Sequence, residues 1–212
     1  MLMGDQSKVT SLAEQAQQRL APFAADLHMT PQRWLHMTTL AAGPITSFSS
    51  QQLQHMTRTA ASLLAAMPPV TITLGRVLYH REAIMLGVAP AGAVQPIRGA
   101  ALQATRLVTG VQKAGTAPPR WIPHITICYS TCDRAAQPLI DALGFHLPSC
   151  AIQVSALSLV IQHGPERTWN WSVIDTIHLA AGPNVARSML ETCGSAVFRG
   201  GVLTGRPGQA AA

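Results

Sequence analysis

The sequence predicts an α+β fold of two lobes related by a pseudo-twofold duplication. Each lobe is expected to be a mostly antiparallel sheet with helices on the outside, and a central cleft lies between the two. Three observations predict this. The order helix, strand, helix, strand, strand is read twice along the chain, as a duplicated α+β unit would give. The 212 residues are 48% hydrophobic and 11% charged, enough to bury about two-thirds to three-quarters of the unfolded surface without staples. No apolar run approaches the roughly 18 residues of a membrane span.

Residues 8–25 place Val9, Leu12, Ala16, Leu20 and Phe23 at helical spacing, and Pro31 breaks any continuation. WLHMTTLAA, residues 34–42, is apolar and β-branched and runs into Gly43-Pro44, a strand closed by a turn. Ser49 or Ser50 caps a helix over 51–67, stopped by Pro68-Pro69. VTITLGRVLYH and EAIMLGVAP follow as two strands around a turn at Arg81. In the second half, 94–113 reads as a helix, WIPHITICYS as a strand and 134–143 as a helix. IQVSALSLVIQHG and TWNWSVIDTIHLA then read as two paired strands around Gly164-Pro165. The domain expected is therefore 1–181, with halves of about 1–91 and 92–181 between which strands can exchange. The Gly-, Pro- and Ala-rich remainder, 182–212, reads as a flexible tail.

Fifteen basic residues, 13 of them arginine, face nine acidic ones, for a net charge of +6. Arginine's planar donors suit phosphate, so the balance leans towards an anionic partner, a nucleotide or RNA. No two of the five Asp and four Glu stand at dyad or metal-ligand spacing, which argues against chemistry built on paired carboxylates or a carboxylate-held magnesium. The opening MLMGDQSKVT lacks the basic and apolar regions of a secretory signal, so the expected location is the cytoplasm, with the four cysteines as thiols. No membrane association and no obligate protein partner are expected.

Each half carries one His-x-Thr on an expected strand, His36-Met37-Thr38 and His124-Ile125-Thr126. Residues two apart on a strand share a face, so each histidine stands beside its threonine. One such motif signals nothing. Two at matching points of a duplicated architecture bring two imidazoles and two hydroxyls to one place. Cleaving a phosphodiester without a metal needs that set: one imidazole accepts a proton from the attacking oxygen and the other gives one to the leaving oxygen. The hydroxyls donate to the non-bridging oxygens, where charge develops.

The strings WLHMTTLAAG and PHITICYS, with histidines 88 positions apart, resemble the two-histidine (2H) phosphoesterase superfamily, and within it the 2'-5' RNA ligase-like branch. The resemblance covers residues 5–180. It implies a bilobal fold with both motifs lining the cleft, and action on 2',3'-cyclic phosphates or 2'-5' links of RNA ends and nucleotides, with ligation as the reverse of the same chemistry. It also implies His36 and His124 as acid and base, Thr38 and Thr126 as phosphate-binding hydroxyls, no cofactor, and Gly43 closing the first motif. Bacterial relatives often have an arginine five residues after the second histidine, where this chain has Tyr129. Strict alternation puts Tyr129 on the face opposite His124 unless the strand is bulged. The resemblance also implies a strand before the first helix, which MLMGDQ leaves room for only in short form.

Trp34, Trp121, Tyr129 and Arg120 are the further candidate substrate contacts, the indoles as stacking faces for a base, with Arg33 at the entrance of the first motif. Trp169 and Trp171 read as core or sheet surface. His124, Cys128 and Cys132 are spaced by four, but no fourth ligand stands nearby and Cys132 lies past the strand end, so no metal site is expected. His28, His55, His80, His146, His163 and His178 read as surface or structural. The rival reading from another class is a non-catalytic RNA or nucleotide-binding module on the same fold.

Overall fold

The computed structural model describes residues 2–3, 6–110, 121–164 and 170–180. Helix α1 (Gln6–Leu20) buries Val9, Leu12, Ala13, Ala16 and Leu20, the stripe that the spacing predicts. It stops short of residue 25 because Pro22 falls in the first turn of a 3₁₀ stretch, Ala21–Asp26, where its missing N–H ends the α-helical ladder. Helix α2 (Ser50–Leu64) opens on a reciprocal capping box between Ser49 and Gln52. Helix α3 (Gln95–Thr109) closes at Gly110, whose φ of 76° only glycine adopts readily. Helix α4 (Gln137–Leu143) begins three residues later than expected, with Pro138 in its first turn.

The strands are β1 (Leu2–Met3), β2 (Leu27–Met29), β3 (Val70–His80), β4 (Ala83–Ala89), β5 (His124–Ser130), β6 (His146–Val154), β7 (Ala156–His163) and β8 (Asn170–His178). They form a five-stranded sheet, β2-β5-β4-β3-β6, and a three-stranded sheet, β1-β7-β8. Every neighbouring pair is antiparallel. Helices α1 and α4 pack together, α1 against β5 and β6 of the larger sheet, while α2 packs on α3 and on β8 of the smaller one.

The fold is thus the expected α+β arrangement, yet neither sheet is built from one half of the chain. The larger takes β2, β3 and β4 from the first half and β5 and β6 from the second. The crossing lies inside a stretch that reads as one strand: β6 and β7 are separated at Ser155 alone, and join different sheets.

The first motif also differs from the expected strand. Pro31 starts a tight turn in which the Trp34 N–H donates to the Pro31 carbonyl at 2.8 Å and the Leu35 N–H to that of Gln32 at 3.1 Å. Within 34–42 only Met37 then makes a β-bridge. Alternation survives without a ladder, with Leu35 and Met37 buried and Thr38 exposed.

One face of the larger sheet is closed under the helices and the other is open. Val77, Ile84, Leu86, Ile125, Cys128 and Leu147 belong to the closed face and are at most 7% exposed. This is the core, and it holds the sheet rigid beneath the residues of the opposite face. The tail expected from residue 182 lies outside the described residues.

Candidate active site

The two motifs are fixed in the same local way. The Nδ1–H of His36 donates to the carbonyl of Trp34, and that of His124 to the carbonyl of Ile122, each at 2.7 Å and each two residues back along the chain. A carbonyl only accepts, so the proton of each neutral ring sits on Nδ1 and proton exchange falls to Nε2. Burial holds the His36 pKa below the ordinary imidazole value; its bond to the Trp34 carbonyl opposes this, and the charge of nearby His124 adds to the lowering. The indole Nε1–H of Trp121, three residues before His124, donates to the carbonyl of Thr38 at 3.2 Å. The entrance of the second motif is thereby tied to the first.

His36 meets the ring of Trp171 edge to face, centroids 4.8 Å apart, and Trp171 meets Trp34 at 4.6 Å. Trp171, which reads as core or sheet surface, instead stands against His36 as a wall of the site, brought there from β8 by long-range pairing that local patterns do not encode. Beyond it His36 and Thr38 open on a groove of about 530 Å³ lined by the 40–45 turn, Phe48 and residues of β7. Gly43 sits in that turn at φ 137°, with the Phe48 ring 3.5 Å from where a Cβ would stand.

Register places the second motif. His124 lies opposite Gly87 and Thr126 opposite Met85, so both belong to the open face, Thr126 at 8% exposure. The next pair is Cys128 with Ile84: β5 carries one extra residue, Ile127, against β4. This bulge reverses the alternation beyond it. Tyr129, opposite Ala83, comes onto the face of His124 and Thr126, and Cys128 goes to the closed face, where its thiol pKa is pushed up to about 12 by burial. The alignment of His124 with Cys128 that spacing by four suggests does not occur. Among the described residues no three His, Cys, Asp or Glu side chains gather as a metal site.

Of the other candidates, Trp34 lies half-buried beneath the guanidinium of Arg33, 5.3 Å from the ring centroid, and Trp121 beneath that of Arg98 at 5.2 Å. Arg120 and Trp169 lie outside the described residues. His28, opposite Tyr129, and His80, opposite Ala83, share the open face with His124. Only register reveals this.

A family model described as the 2'-5' RNA ligase superfamily matches residues 6–166. The chain belongs to the 2'-5' RNA ligase superfamily. Crystal structures of that fold agree with the architecture described. TT0787 of Thermus thermophilus is 14% identical, with a TM-score of 0.64, over 82% of this chain and 93% of that one. E. coli LigT in apo form is 16% identical, with a TM-score of 0.59, over 80% and 91%. LigT complexed with 3'-AMP gives 13% identity and 0.59, over 80% and 92%. At these identities the likeness is one of fold. No curated protein sequence matches the chain significantly. No described helix of this superfamily member is long and apolar enough to cross a membrane.

Proposed function

We propose that the chain is a metal-independent phosphoesterase acting on a 2',3'-cyclic phosphate or a 2'-5' phosphodiester, at an RNA end or in a small nucleotide. The observation that carries this is the matched pair of Nδ1-to-carbonyl bonds, which commits Nε2 of both His36 and His124 to proton exchange in two motifs tied by the Trp121–Thr38 bond. Superfamily membership and the complexes of LigT with 3'-AMP and ATP support a nucleotide substrate.

In hydrolysis, Nε2 of His36 takes a proton from water as the water oxygen bonds to phosphorus. The bond from phosphorus to the ribose oxygen breaks, and Nε2–H of protonated His124 gives its proton to that oxygen. His36 suits the accepting role because burial favours its neutral form. Thr38 and Thr126 donate to the non-bridging oxygens. Tyr129, on the face of His124, replaces the missing arginine with a hydroxyl. A ribose hydroxyl attacking in place of water runs the same steps as ligation. We assign this chemistry to residues 1–181.

The test is turnover of nucleoside 2',3'-cyclic phosphates, 2'-5' dinucleotides and cyclic-phosphate-ended RNA in EDTA. His36→Ala and His124→Ala should each lower kcat about 100- to 10,000-fold. The double variant should lose less than the product of the two, since acid and base serve one transition state. Binding without turnover would establish the non-catalytic module instead, and abolition by chelator would refute metal independence.

A further inference from the structure

The register of the larger sheet sets four residues in one row across its open face. His124 of β5 stands opposite Gly87 of β4, Gly87 opposite Arg76 of β3, and Arg76 opposite His146 of β6. Adjacent strands are about 4.8 Å apart, so the backbones of Arg76 and His124 are separated by roughly 10 Å. Arg76 and His146 are both exposed. Among the described residues neither makes a side-chain hydrogen bond or ion pair. No carboxylate stands on the paired positions of this face. Its paired positions besides the row include His28, Leu78, His80, Met85, Thr126 and Tyr129, and beyond Gly75 they are threonine, alanine and glutamine.

Two features of the backbone put Arg76 there. Gly75 breaks the pairing of β3 with both neighbours. Its φ is 145°, and a Cβ would lie 3.2 Å from the Leu147 carbonyl oxygen and 3.3 Å from the Ser149 Cα. Leu74, on one side of this irregularity, is 1% exposed, while Arg76 on the other side is open to solvent. Gly87 then supplies the gap between Arg76 and His124. Its space is covered by Leu78, whose Cδ1 would be 3.1 Å from an added Cβ. An apolar step therefore separates the guanidinium from the catalytic imidazole. A clamp on the reacting phosphate would have no such step. A subsite for a second phosphate, with a sugar resting on Leu78 between the two, fits it.

We propose that Arg76, with His146 beside it, binds a second phosphate of the substrate, so that the preferred substrates are nucleotides carrying another phosphate one ribose away from the reacting one. This rests on the phosphoesterase reading for the placing of the first phosphate at His36 and His124. The guanidinium donates charge-assisted, paired hydrogen bonds to the phosphate oxygens, and the imidazole of His146 adds a donor from the neighbouring strand.

The experiment is calorimetric binding of adenosine 3'-monophosphate and adenosine 3',5'-bisphosphate to the full chain, alongside turnover of a nucleoside 2',3'-cyclic phosphate with and without a 5'-phosphate. Wild type should bind the bisphosphate about 10- to 100-fold more tightly, from charge-assisted bonds to one added phosphate, and the advantage should shrink as salt is raised. Arg76→Ala should remove the advantage while leaving the monophosphate Kd and the thermal midpoint unchanged, and Arg76→Lys should restore part of it. An equal affinity of wild type for both ligands, no binding of either, or an Arg76→Ala variant that weakens both alike would overturn the subsite. A preference that depends on Arg76 without any turnover would keep the subsite and refute the phosphoesterase reading. Turnover that ignores the 5'-phosphate would do the reverse.

Discussion

Trp121→Phe separates the tie between the two motifs from everything else that the indole does. Phenylalanine keeps a ring in the half-buried position and keeps a face for Arg98, whose guanidinium lies 5.2 Å from the indole centroid. The hydrogen bond from Nε1 to the Thr38 carbonyl is lost. An intramolecular hydrogen bond is worth about 0.5–1.5 kcal/mol net, and a length of 3.2 Å is at the long end of the N–H···O range, which favours the lower half of that interval. The weaker cation–π attraction of phenylalanine adds a few tenths of a kcal/mol. If the motifs, once released, must be realigned in the transition state, a realignment cost of comparable size, about 0.5–1 kcal/mol, becomes a loss of roughly 2- to 5-fold in kcat/KM. The same loss from the folded state lowers Tm by about 1–4 °C in a chain of this size. The assay is initial-rate turnover of a 2',3'-cyclic nucleotide beside a thermal melt. A lower Tm with unchanged kcat/KM would show that the bond serves the fold only. A loss of a hundredfold with unchanged Tm would show that Trp121 touches the substrate itself. Either result refutes alignment through the tie.

Two further outcomes follow from the same structure. Since burial holds the His36 pKa below its ordinary value, the unfolded chain takes up a proton that the folded chain resists. Stability should therefore fall as pH drops through about 6.5, the ordinary imidazole value, and level off below the folded-state pKa. Urea midpoints taken across that window should fall less steeply in His36→Gln, and an equal slope would mean that His36 is not held neutral. Gly75→Ala would put a Cβ against the β6 backbone at a φ of 145°, a conformation that costs about 1–3 kcal/mol for a residue with a side chain. Tm should drop by several degrees; an unchanged Tm would show that the β3 irregularity tolerates a side chain and is not what seats Arg76.

Much of the fold was legible because its signals are local. Apolar spacing marked the buried face of α1, Ser49 and the Pro68-Pro69 pair bracketed α2, and the two His-x-Thr strings stood out by repetition. What escaped was set by pairing at a distance. Nothing in IQVSALSLVIQHG marks Ser155 as the point where the chain leaves one sheet for the other, since no glycine or proline stands there and both flanks are apolar. The partners that decide it, Val70 for Val154 and His178 for Ala156, are remote in sequence. The first motif shows the opposite case. Its side chains alternate as the sequence predicts, yet a turn begun by Pro31 and a single bridge at Met37 stand in place of the expected strand, because the inward and outward preferences of side chains can be met by an extended chain without a full ladder.

The second motif shows how much of a site can hang on one residue. Side chains alternate with a period of two, so a single insertion exchanges the faces of all that follows. With Ile127 paired, Tyr129 would lie under the helices and Cys128 would stand beside His124, offering a thiol where the proposed chemistry has a hydroxyl. With Ile127 extra, the polar side chain comes out and the thiol goes in. Sequence alone names the condition without deciding it, because Ile125, Ile127 and Cys128 are all apolar enough for the core, and all three are at most 5% exposed. The choice is made by the neighbouring strands. Register on β4 sets Met85 opposite Thr126 and Ile84 opposite Cys128, which leaves Ile127 as the extra residue, and β2 pairs with the stretch beyond it, His28 opposite Tyr129. The bulge is thus set by pairing with β4, and it is what brings Tyr129 onto the face of His124 and Thr126, just as the irregularity at Gly75 in β3 brings Arg76 onto that face.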